Sequence, residues 1–310
     1  MNGSSAGLVV IGGPTAVGKT AFAVELAKIL GADIVSADSM QVYRHLAIGT
    51  GKPTPGELDG VRCHLIDHVE PEEQYNLGRF VAEADAVIGP ALAAGRPAVV
   101  CGGTGLYIKG LLEGVFPDLP RAPEIRAALH AEADSGRDAL ARLHAELSAA
   151  DPPAAARITP ADRQRIVRAL EVARATGRPI SSFQTQSAEA PRYPSRYLVL
   201  DRPRDELRAR IDARVDAMAA AGLLDELRDY LAAGHPRECP AIRALGYTDL
   251  LEHLDGRIDL GGALERMKVR TRRYAKRQLT WFRGVAGARW LDASSENPSR
   301  MAARVAAELS

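Results

Sequence analysis

The stretch that decides the fold is Gly13-Pro14-Thr15-Ala16-Val17-Gly18-Lys19-Thr20, a Gly-x-x-x-x-Gly-Lys-Thr loop. It follows the apolar run Leu8–Ile11 and precedes a helical pattern that ends at Gly31. A strand, such a loop and a helix in this order are typical of a phosphate site, where backbone N–H groups and the helix N-terminus hold the anion. Lys19 adds a mobile positive charge, and the Thr20 hydroxyl can bind Mg²⁺. The loop alone does not select among ATP, GTP and other diphosphates.

Composition limits the possible partners. The 310 residues suffice for one large α/β domain with an inserted or appended smaller one. Because 40 Lys and Arg balance 39 Asp and Glu, any nucleic-acid surface must be a local patch. Cys63, Cys101 and Cys239 lack zinc-type spacing and fit reduced thiols. No signal peptide and no apolar run of membrane length are found, so we expect a cytoplasmic protein that makes no contact with a membrane.

Strand and helix patterns alternate, as a P-loop-type doubly wound parallel sheet of the α/β class requires. Five short apolar runs fit strands: Leu8–Ile11, Asp33–Ala37, Arg96–Cys101, Tyr197–Leu200 and Arg289–Leu291. Ligands of open parallel sheets bind beyond the carboxyl ends of the strands. The second strand runs into Asp38 and the third into the turn that contains Thr104, so we expect both residues to face one crevice with the phosphate-binding loop.

The stretch between the third and fourth strands is too long for a simple crossover and is mainly helical in pattern. We therefore predict a catalytic core of residues 1–115 and 197–310 and an inserted helical lobe of residues 116–196. One helix of the lobe is predicted from a capping pattern at Thr159–Asp162, with proline as its first helical residue, to a stop at Gly177. An earlier helix is predicted from Pro123 to about Leu147.

The most uneven charge lies at Arg266–Arg283, which contains eight basic residues and no acidic one. On a helix, Met267, Tyr274 and Trp281 share an apolar side and are expected to anchor it in the core. Two basic stripes remain, Arg266, Arg270, Arg273 and Arg277 on one and Lys268, Arg272 and Lys276 on the other. Like charges at this density repel, which favours a phosphate-rich partner over a solvated face.

Seven segments together resemble the bacterial tRNA dimethylallyltransferases, also called tRNA isopentenyltransferases. They are the phosphate-binding loop, Asp38–Arg44, Ile48–Pro53, Arg62–Asp67, Gly102–Tyr107, Ile242–Tyr247 and Arg273–Arg283, in order along nearly the whole chain. The resemblance implies transfer of a dimethylallyl group from dimethylallyl diphosphate to N6 of the adenosine immediately 3′ of the anticodon of tRNA, position 37, with release of diphosphate. One departure is Cys63, which stands where a second histidine is common before His64. A monomer is expected.

The chemistry of this transfer can be assigned to residues. An exocyclic adenine amine needs a base for its proton, and an allylic diphosphate leaves only if its developing charge is stabilised. Asp38 fits the first need. The loop N–H groups, Lys19 and Mg²⁺ on Thr20 fit the second. Asp38 could otherwise be a Mg²⁺ ligand of a kinase or a helix N-cap, and Thr104 a plain N-cap hydroxyl.

The resemblance implies three sets of site residues. The catalytic set is Asp38, Thr104 and Lys19. The diphosphate-binding set is Gly13, Pro14, Thr15, Ala16, Val17, Gly18, Lys19, Thr20 and Arg214, with Thr20 as the metal ligand. The set that contacts the anticodon stem-loop is Asp38, Ser39, Met40, Gln41, Thr104, Arg126, Gln164, Arg165, Ile166, Val167, Arg168, Ile242, Arg243, Gly246, Tyr247, Arg273, Lys276 and Arg277. An enzyme cannot reach a stacked adenine in place, so the target base should be flipped into the crevice.

Two other functions compete. A nucleoside or nucleotide kinase would also have the loop, and Leu200–Arg210 has the arginine density of a kinase lid. Kinase activity, however, would not require the basic helix at Arg266–Arg283. A regulatory GTPase or an ATP-driven RNA-binding module is the third option, but the chain has no Asn-Lys-x-Asp motif for reading guanine.

Overall fold

A computed structural model describes residues 7–114, 119, 121–183 and 191–309. Within them, six strands form one sheet in the spatial order β3-β2-β4-β1-β5-β6. The strands are β1 (Leu8–Gly12), β2 (Asp33–Ser36), β3 (Cys63–His64), β4 (Ala98–Cys101), β5 (Ser195–Asp201) and β6 (Arg289–Asp292). All five strand pairs are parallel. The predicted doubly wound parallel sheet is confirmed, and β3 was not predicted because two residues carry no periodic signal.

The described residues contain thirteen α-helices. They are α1 (Lys19–Leu30), α2 (Pro55–Leu58), α3 (Leu77–Ala93), α4 (Gly105–Glu113), α5 (Pro123–Asp134), α6 (Ala139–Ala150), α7 (Pro152–Ala155), α8 (Arg163–Thr176), α9 (Arg204–Ala220), α10 (Leu223–Ala232), α11 (Tyr247–Leu254), α12 (Leu260–Arg283) and α13 (Pro298–Leu309). Helices α1, α9 and α13 pack on one face of the sheet, and α3 and α4 pack on the other. Short 3₁₀ turns occupy Ile180–Phe183 and Ala241–Arg243.

Both faces of β1 are buried, which explains its continuous apolar run. Val9 and Ile11 pack in a cluster with residues of α1, α9 and α13. Leu8 and Val10 point the other way and pack with residues of α3 and α4. The phosphate-binding loop that follows β1 therefore starts from a strand that is fixed on both sides.

The described chain divides into two compact units. One comprises the described residues up to Leu112 and from Tyr193 onward, and contains the sheet. The other comprises Glu113–Arg192, without the residues outside the described ranges, and contains α5 to α8. Its core is a cluster of buried aliphatic side chains that includes Leu129, Leu143 and Leu170.

Two helix predictions for the second unit were wrong in detail. The single helix expected from Pro123 to about Leu147 is two helices, α5 and α6, separated by residues 135–138. Gly136 lies in this break, and a glycine inside a helix would cost about 1 kcal/mol relative to alanine. The N-cap of α8 is Asp162, which accepts a hydrogen bond from the Arg165 N–H at 3.2 Å, and not a residue before Pro160. The stop at Gly177 is as predicted.

The basic helix is α12, and its predicted core anchor Trp281 is misplaced. Met267 is buried, but Trp281 is 36% exposed, and its neighbour Phe282 is buried instead. Residues seven apart drift by about 20° per heptad around a straight α-helix. Over the two heptads from Met267 to Trp281, this drift carries the apolar stripe off the core side of the helix. Phe282 packs against Gly12, where an added Cβ would lie 2.6 Å from the ring.

Candidate active site

A cavity of about 360 Å³ opens at the carboxyl ends of β1, β2 and β4. Residues of the phosphate-binding loop, the segment after β2, the turn after β4, and helices α9 and α12 line it. Lys19, Asp38 and Arg214 all face this cavity. The chain segments that carry them are far apart in sequence, and the parallel sheet brings them to one edge.

The phosphate-binding loop depends on two glycines with left-handed backbone conformations. Gly13 has φ 146° and Gly18 has φ 110°. A side chain at Gly13 would also meet the Leu200 carbonyl oxygen at 2.7 Å. Lys19 Nζ donates to the Pro14 carbonyl oxygen at 2.7 Å, so the ammonium group folds back over the loop. Thr15, Lys19 and Thr20 of the loop line the cavity, so the loop supplies it with one cation.

Two arginines that sequence analysis associated with a kinase lid brace this loop. Arg202 Nε donates to the Val17 carbonyl oxygen at 2.8 Å, and Arg210 Nε donates to the Ala16 carbonyl oxygen at 2.9 Å. Arg202 also pairs with Glu206. These contacts use the guanidinium groups to hold protein carbonyls, which differs from the phosphate-clamping role of a lid.

Two partly buried cations concentrate positive charge in the cavity. Burial lowers the pKa of Lys19 to about 8, with a smaller lowering from Arg214 that nearby Cys101 and Asp38 oppose. Burial likewise lowers the pKa of Arg214, whose Nη2 donates to the Gly51 carbonyl oxygen at 3.3 Å. Two neighbouring cations that are partly removed from water favour an anionic ligand, because the negative charge replaces the stabilisation that water would give them.

Asp38 is held at the end of β2 by its own chain. Its Oδ1 accepts N–H bonds from Met40 at 2.9 Å and from Gln41 at 3.4 Å. Among the described residues, Oδ2 makes no hydrogen bond. The carboxylate therefore has one oxygen fixed by the backbone and one available to a group in the cavity.

Thr104 joins the segment after β2 to the turn after β4. Its Oγ1 accepts the Ser39 N–H at 3.1 Å and lies 3.5 Å from Ser39 Oγ. The turn passes so close to β2 that a Cβ at Gly102 would lie 2.1 Å from the Ala37 carbonyl oxygen. Gly102 is therefore needed for the approach that places Thr104 beside the segment of Asp38, whereas a Cβ at Gly103 would lie 2.2 Å from Gln278 Nε2.

Gln278 is a site residue that sequence analysis did not assign. Its side chain is buried, its Oε1 accepts the Thr15 N–H at 2.9 Å, and its Nε2 donates to the Gly103 carbonyl oxygen at 3.0 Å. One amide thus ties the phosphate-binding loop to the turn that carries Thr104. The sequence feature that could have identified it is a polar residue on the same side of the helix as the core positions Ala275 and Phe282. A buried amide needs hydrogen-bond partners, so such a residue is expected to connect two segments.

Tyr274, expected in the core, lines the cavity instead. Burial raises the pKa of its hydroxyl well above the usual range, and the charge of Asp38 raises it further. The phenol is therefore neutral at physiological pH. Arg277 lies with its guanidinium carbon 5.7 Å from the centre of this ring and also lines the cavity.

The segment Ile48–Pro53 is held in place by Glu226. The carboxylate accepts N–H bonds from Ala47 at 2.6 Å, Ile48 at 2.7 Å and Gly49 at 3.1 Å. It also accepts the Tyr247 O–H at 2.6 Å. Since Gly49, Thr50 and Pro53 line the cavity, this network shapes one of its walls.

Two residues predicted to contact RNA have other positions. Tyr247 and Ile242 are buried in a hydrophobic cluster with Met267, so their side chains cannot touch an RNA surface. Gly246, with φ 105°, lies so close that an added Cβ would be 2.4 Å from the Met267 sulfur. Arg243 lines the cavity. Ala244 and Leu245 also line it, and Arg243 alone of these three carries a charge.

In the second unit, a buried carboxylate forms ion pairs with two of the arginines that were predicted to bind RNA. Glu171 is fully buried and pairs with Arg126 at 2.7 Å and with Arg168 at 3.1 Å. Ile166 and Val167 belong to the core of this unit, so their side chains do not reach its surface. Gln164 and Arg165 are exposed. Arg126, although paired, also keeps 43% of its side chain exposed.

The first four basic residues of α12 are paired within the protein. Arg266 lies 2.6 Å from Glu252, Lys268 lies 2.8 Å from Asp216, and Arg270 lies 3.2 Å from Asp249. Arg272 pairs with Asp212. The expectation that the whole basic run needs polyanions was therefore wrong for this half. Within the described residues, no ion pair is formed by Arg273, Lys276, Arg277 or Arg283.

Comparison with known proteins identifies the family. The IPP transferase family model matches residues 41–285, and the isopentenyl transferase model matches residues 6–73. The tRNA dimethylallyltransferase of Syntrophobacter fumaroxidans is 50% identical over 290 residues, which cover 93% of this chain and 84% of that protein. This chain belongs to the tRNA dimethylallyltransferase family. The enzyme of the same name from Anaeromyxobacter dehalogenans is 50% identical over 298 residues, 96% of this chain and 98% of that protein.

Solved structures of the family share the fold. The tRNA isopentenylpyrophosphate transferase of Bacillus halodurans superposes with a TM-score of 0.72 at 38% identity, covering 98% of this chain and 97% of that one. A eukaryotic dimethylallyltransferase, solved acting on tRNA, gives 0.79 at 29% identity and covers 93% and 74%. The predicted family, the P-loop-type fold and the assignment as a prenyltransferase are confirmed. In the part of the chain that is described, no helix is long and apolar enough to cross a membrane.

Proposed function

We propose that this enzyme transfers the dimethylallyl group of dimethylallyl diphosphate to N6 of adenosine 37 of tRNA, immediately 3′ of the anticodon, and releases diphosphate. One observation carries the proposal. Asp38 presents a carboxylate oxygen to the same cavity that the phosphate-binding loop, Lys19 and Arg214 make electropositive. A base and an anion site within one cavity match a reaction that removes a proton and expels a diphosphate.

The diphosphate binds to the loop, residues 13–20, where its oxygens accept backbone N–H bonds and pair with Lys19 and Arg214. These contacts stabilise the charge that develops as the bond between C1 of the allyl group and the diphosphate oxygen breaks. The electron pair of that bond leaves with the diphosphate. N6 of the adenine forms the new bond to C1.

The proton lost by N6 passes to Asp38 Oδ2. Its partner oxygen stays bonded to the N–H groups of Met40 and Gln41, so the carboxylate keeps its orientation while it accepts the proton. We assign the positioning of the adenine to Thr104 and to the segment Ser39–Gln41, which line or border the cavity.

The site fits a magnesium ion that would be held mainly by the diphosphate of the substrate. The described residues contain no group of three or more His, Cys, Asp or Glu side chains that could bind a metal by themselves. The Thr20 hydroxyl faces the cavity beside the phosphate-binding loop. A single hydroxyl combined with phosphate oxygens and water is a common Mg²⁺ environment. When bound, Mg²⁺ would neutralise diphosphate charge, and Thr20 would hold it.

The anticodon stem-loop is the proposed RNA partner. Arg273, Lys276 and Arg277 are free of ion pairs among the described residues, and Arg243 lines the cavity. Gln164 and Arg165 offer exposed polar side chains in the second unit. Phosphate contacts by such residues position the RNA, and the flipped base reaches Asp38. A monomer in the cytoplasm, where the tRNA substrate is, completes the proposal.

A two-label transfer assay tests the proposed function. The enzyme is incubated with an unmodified tRNA and either dimethylallyl diphosphate labelled in the allyl group or ATP labelled at the γ-phosphate. Label from the allyl donor should reach adenosine 37 in nuclease digests, and no γ-phosphate should be transferred or hydrolysed. Transfer from ATP, or ATP hydrolysis stimulated by tRNA, would refute the proposal and favour a kinase or ATPase.

A further inference from the structure

The two tryptophans of the chain are both partly exposed. Trp281 on α12 is 36% exposed, and Trp290 on β6 is 37% exposed. A large aromatic side chain that remains in water gives up the free energy that its burial would supply. Single exposed aromatics are nevertheless common. What separates Trp281 from Trp290 is its surroundings.

Trp281 lies against the turn that carries Thr104. An added Cβ at Gly105 would lie 2.1 Å from both Cδ1 and Nε1 of the indole, so the ring rests on the backbone of the residue after Thr104. Three residues earlier on α12, Gln278 bonds to the Gly103 carbonyl oxygen. Tyr274, a further turn back, lines the cavity. These three side chains follow the turn from the cavity to the protein surface, with Trp281 outermost.

The charge around Trp281 suits RNA. Arg277 and Arg283 lie one turn before it and two residues after it on α12, and neither forms an ion pair among the described residues. Leu106, next to Gly105, is 50% exposed and adds apolar surface on the same turn. Aromatic side chains flanked by free basic groups are typical of surfaces that bind single-stranded RNA. Trp290 is instead next to Arg289, which pairs with Glu308.

We propose that Trp281 is a stacking platform for an unpaired base of the anticodon loop, next to the base that enters the cavity. The inference rests on the proposed function. The base stacks on the exposed part of the indole while its phosphates reach the free arginines of α12. Because Gly105 has no side chain, the ring packs closely against the backbone, so it is already held in place and little side-chain freedom is lost on binding.

Single-tryptophan variants test this contact directly. W290F leaves Trp281 as the only tryptophan, and W281F leaves Trp290. An unmodified anticodon stem-loop RNA is titrated into each, and the tryptophan emission is recorded. Stacking on a base should quench or shift the emission of W290F as the RNA binds, while W281F should show no change that saturates. Unchanged emission in W290F at saturating RNA would overturn the proposal.

Binding measurements separate stacking from charge and from folding. W281A should weaken binding of the stem-loop by roughly 5- to 150-fold, the size of one lost base stack, without changing its salt dependence because no phosphate contact is lost. W281F should retain most of the affinity, and W290A, the matched control, should retain all of it. Equal losses in W281A and W290A, with normal unfolding temperatures, would overturn the proposal.

A backbone variant keeps the test valid if W281A folds poorly. G105A places a methyl group where the indole lies and should displace the ring, so RNA affinity should fall as in W281A. Failure of this inference differs from failure of the proposed function. Normal allyl transfer without a Trp281 signal would refute the stacking alone. Quenching of Trp281 without any allyl transfer would refute the reaction alone.

Discussion

The first four basic residues of α12 and the last four, called here its first and second halves, are used differently. In the first half, Arg266, Lys268, Arg270 and Arg272 each pair with a carboxylate of α9 or α11. In the second half, Arg273, Lys276, Arg277 and Arg283 pair with none among the described residues. The first half faces carboxylates on α9 and α11, and the second half runs past the cavity. A basic run in a sequence therefore contains both structural charges and charges left for a ligand.

The same distinction separates two carboxylates. Glu226 accepts three backbone N–H bonds and one hydroxyl, which uses both oxygens. Asp38 accepts through Oδ1 and has Oδ2 free within the described residues. Groups that the fold has satisfied should matter for stability, and groups that it has left free should matter for binding or catalysis. Substitutions of each kind test this rule.

The largest effect is expected for Asp38. Asp38→Asn removes the proposed base and should lower the single-turnover rate of allyl transfer by roughly 10²- to 10⁴-fold. Its affinity for tRNA should stay near that of the parent, since the base acts on a proton and adds little to ground-state binding. Rate and affinity are measured on the same preparation. A variant with normal transfer but lost tRNA binding would make Asp38 a recognition residue.

Glu226→Gln is the matched control for a satisfied carboxylate. The glutamine amide has one acceptor oxygen fewer than the carboxylate, so some of the N–H groups of residues 47–49 lose their acceptor. A buried donor left unpaired costs about 1–3 kcal/mol. The unfolding temperature should therefore fall. Any loss of transfer should be smaller than that of Asp38→Asn and should accompany the loss of stability.

The next effect concerns the pair of Arg270 with the buried Asp249. Burial raises the pKa of Asp249, and Arg270 opposes that rise. Arg270→Gln should lower the free energy of unfolding by about 2 kcal/mol, below the value for breaking a fully buried pair because Arg270 is half-exposed. Without Arg270, the pKa of Asp249 in the folded state lies further above that of an unfolded aspartate. At pH values above the ordinary aspartate pKa, Asp249 therefore keeps its proton more in the folded than in the unfolded state. Stability should therefore fall as pH rises from about 4 towards 7.

Equilibrium unfolding in urea at several pH values measures this effect. Asp249→Asn added to Arg270→Gln should recover stability and remove the pH dependence. Arg266→Gln, which breaks an exposed pair with Glu252, should cost less than about 1 kcal/mol. Equal losses for Arg266→Gln and Arg270→Gln would show that burial of the partner does not decide the outcome.

Which charges are satisfied could not be predicted from the sequence. The local order of strand, glycine loop and helix predicted the phosphate site, because those residues are neighbours in the chain. Asp212 lies 60 residues before Arg272, and Asp249 lies 21 before Arg270, so only the fold brings each pair together. The buried Tyr247 was likewise assigned to RNA because its segment belongs to a family motif.

Two misplaced elements have local causes. Thr159 and Asp162 are both good N-cap residues, and the sequence does not say which one the helix selects. Trp281 was assigned to the core from a spacing of seven, whose drift on a 3.6-residue helix exposes the third member of the series. The sheet edge that gathers Asp38, Thr104 and Lys19 was predictable from strand order alone.

Paired triple variants test the comparison of the two halves of α12. Replacing Arg273, Lys276 and Arg277 with glutamine should lower affinity for the anticodon stem-loop on the order of 10- to 100-fold at low salt. Each lost phosphate contact should flatten the logarithmic salt dependence by about 0.7. The control replaces Arg266, Lys268 and Arg272. It should leave the salt slope unchanged and lower stability, and a flattened slope in the control would contradict the comparison.

The smallest effect is the pH dependence of the Lys19 charge. Burial holds the pKa of Lys19 at about 8 in the free enzyme. A diphosphate prefers the ammonium form, so binding requires protonated Lys19 and becomes weaker as pH rises through that pKa. Between pH 7 and pH 9 the protonated fraction falls about tenfold for such a pKa, and the KM for dimethylallyl diphosphate should rise by a similar factor. The affinity for tRNA should not follow this curve. Lys19→Arg is the control, because its guanidinium stays charged over this range, so its KM should be higher at pH 7 but independent of pH. A parent enzyme whose KM is flat from pH 7 to pH 9 would show that Lys19 does not pair with the diphosphate.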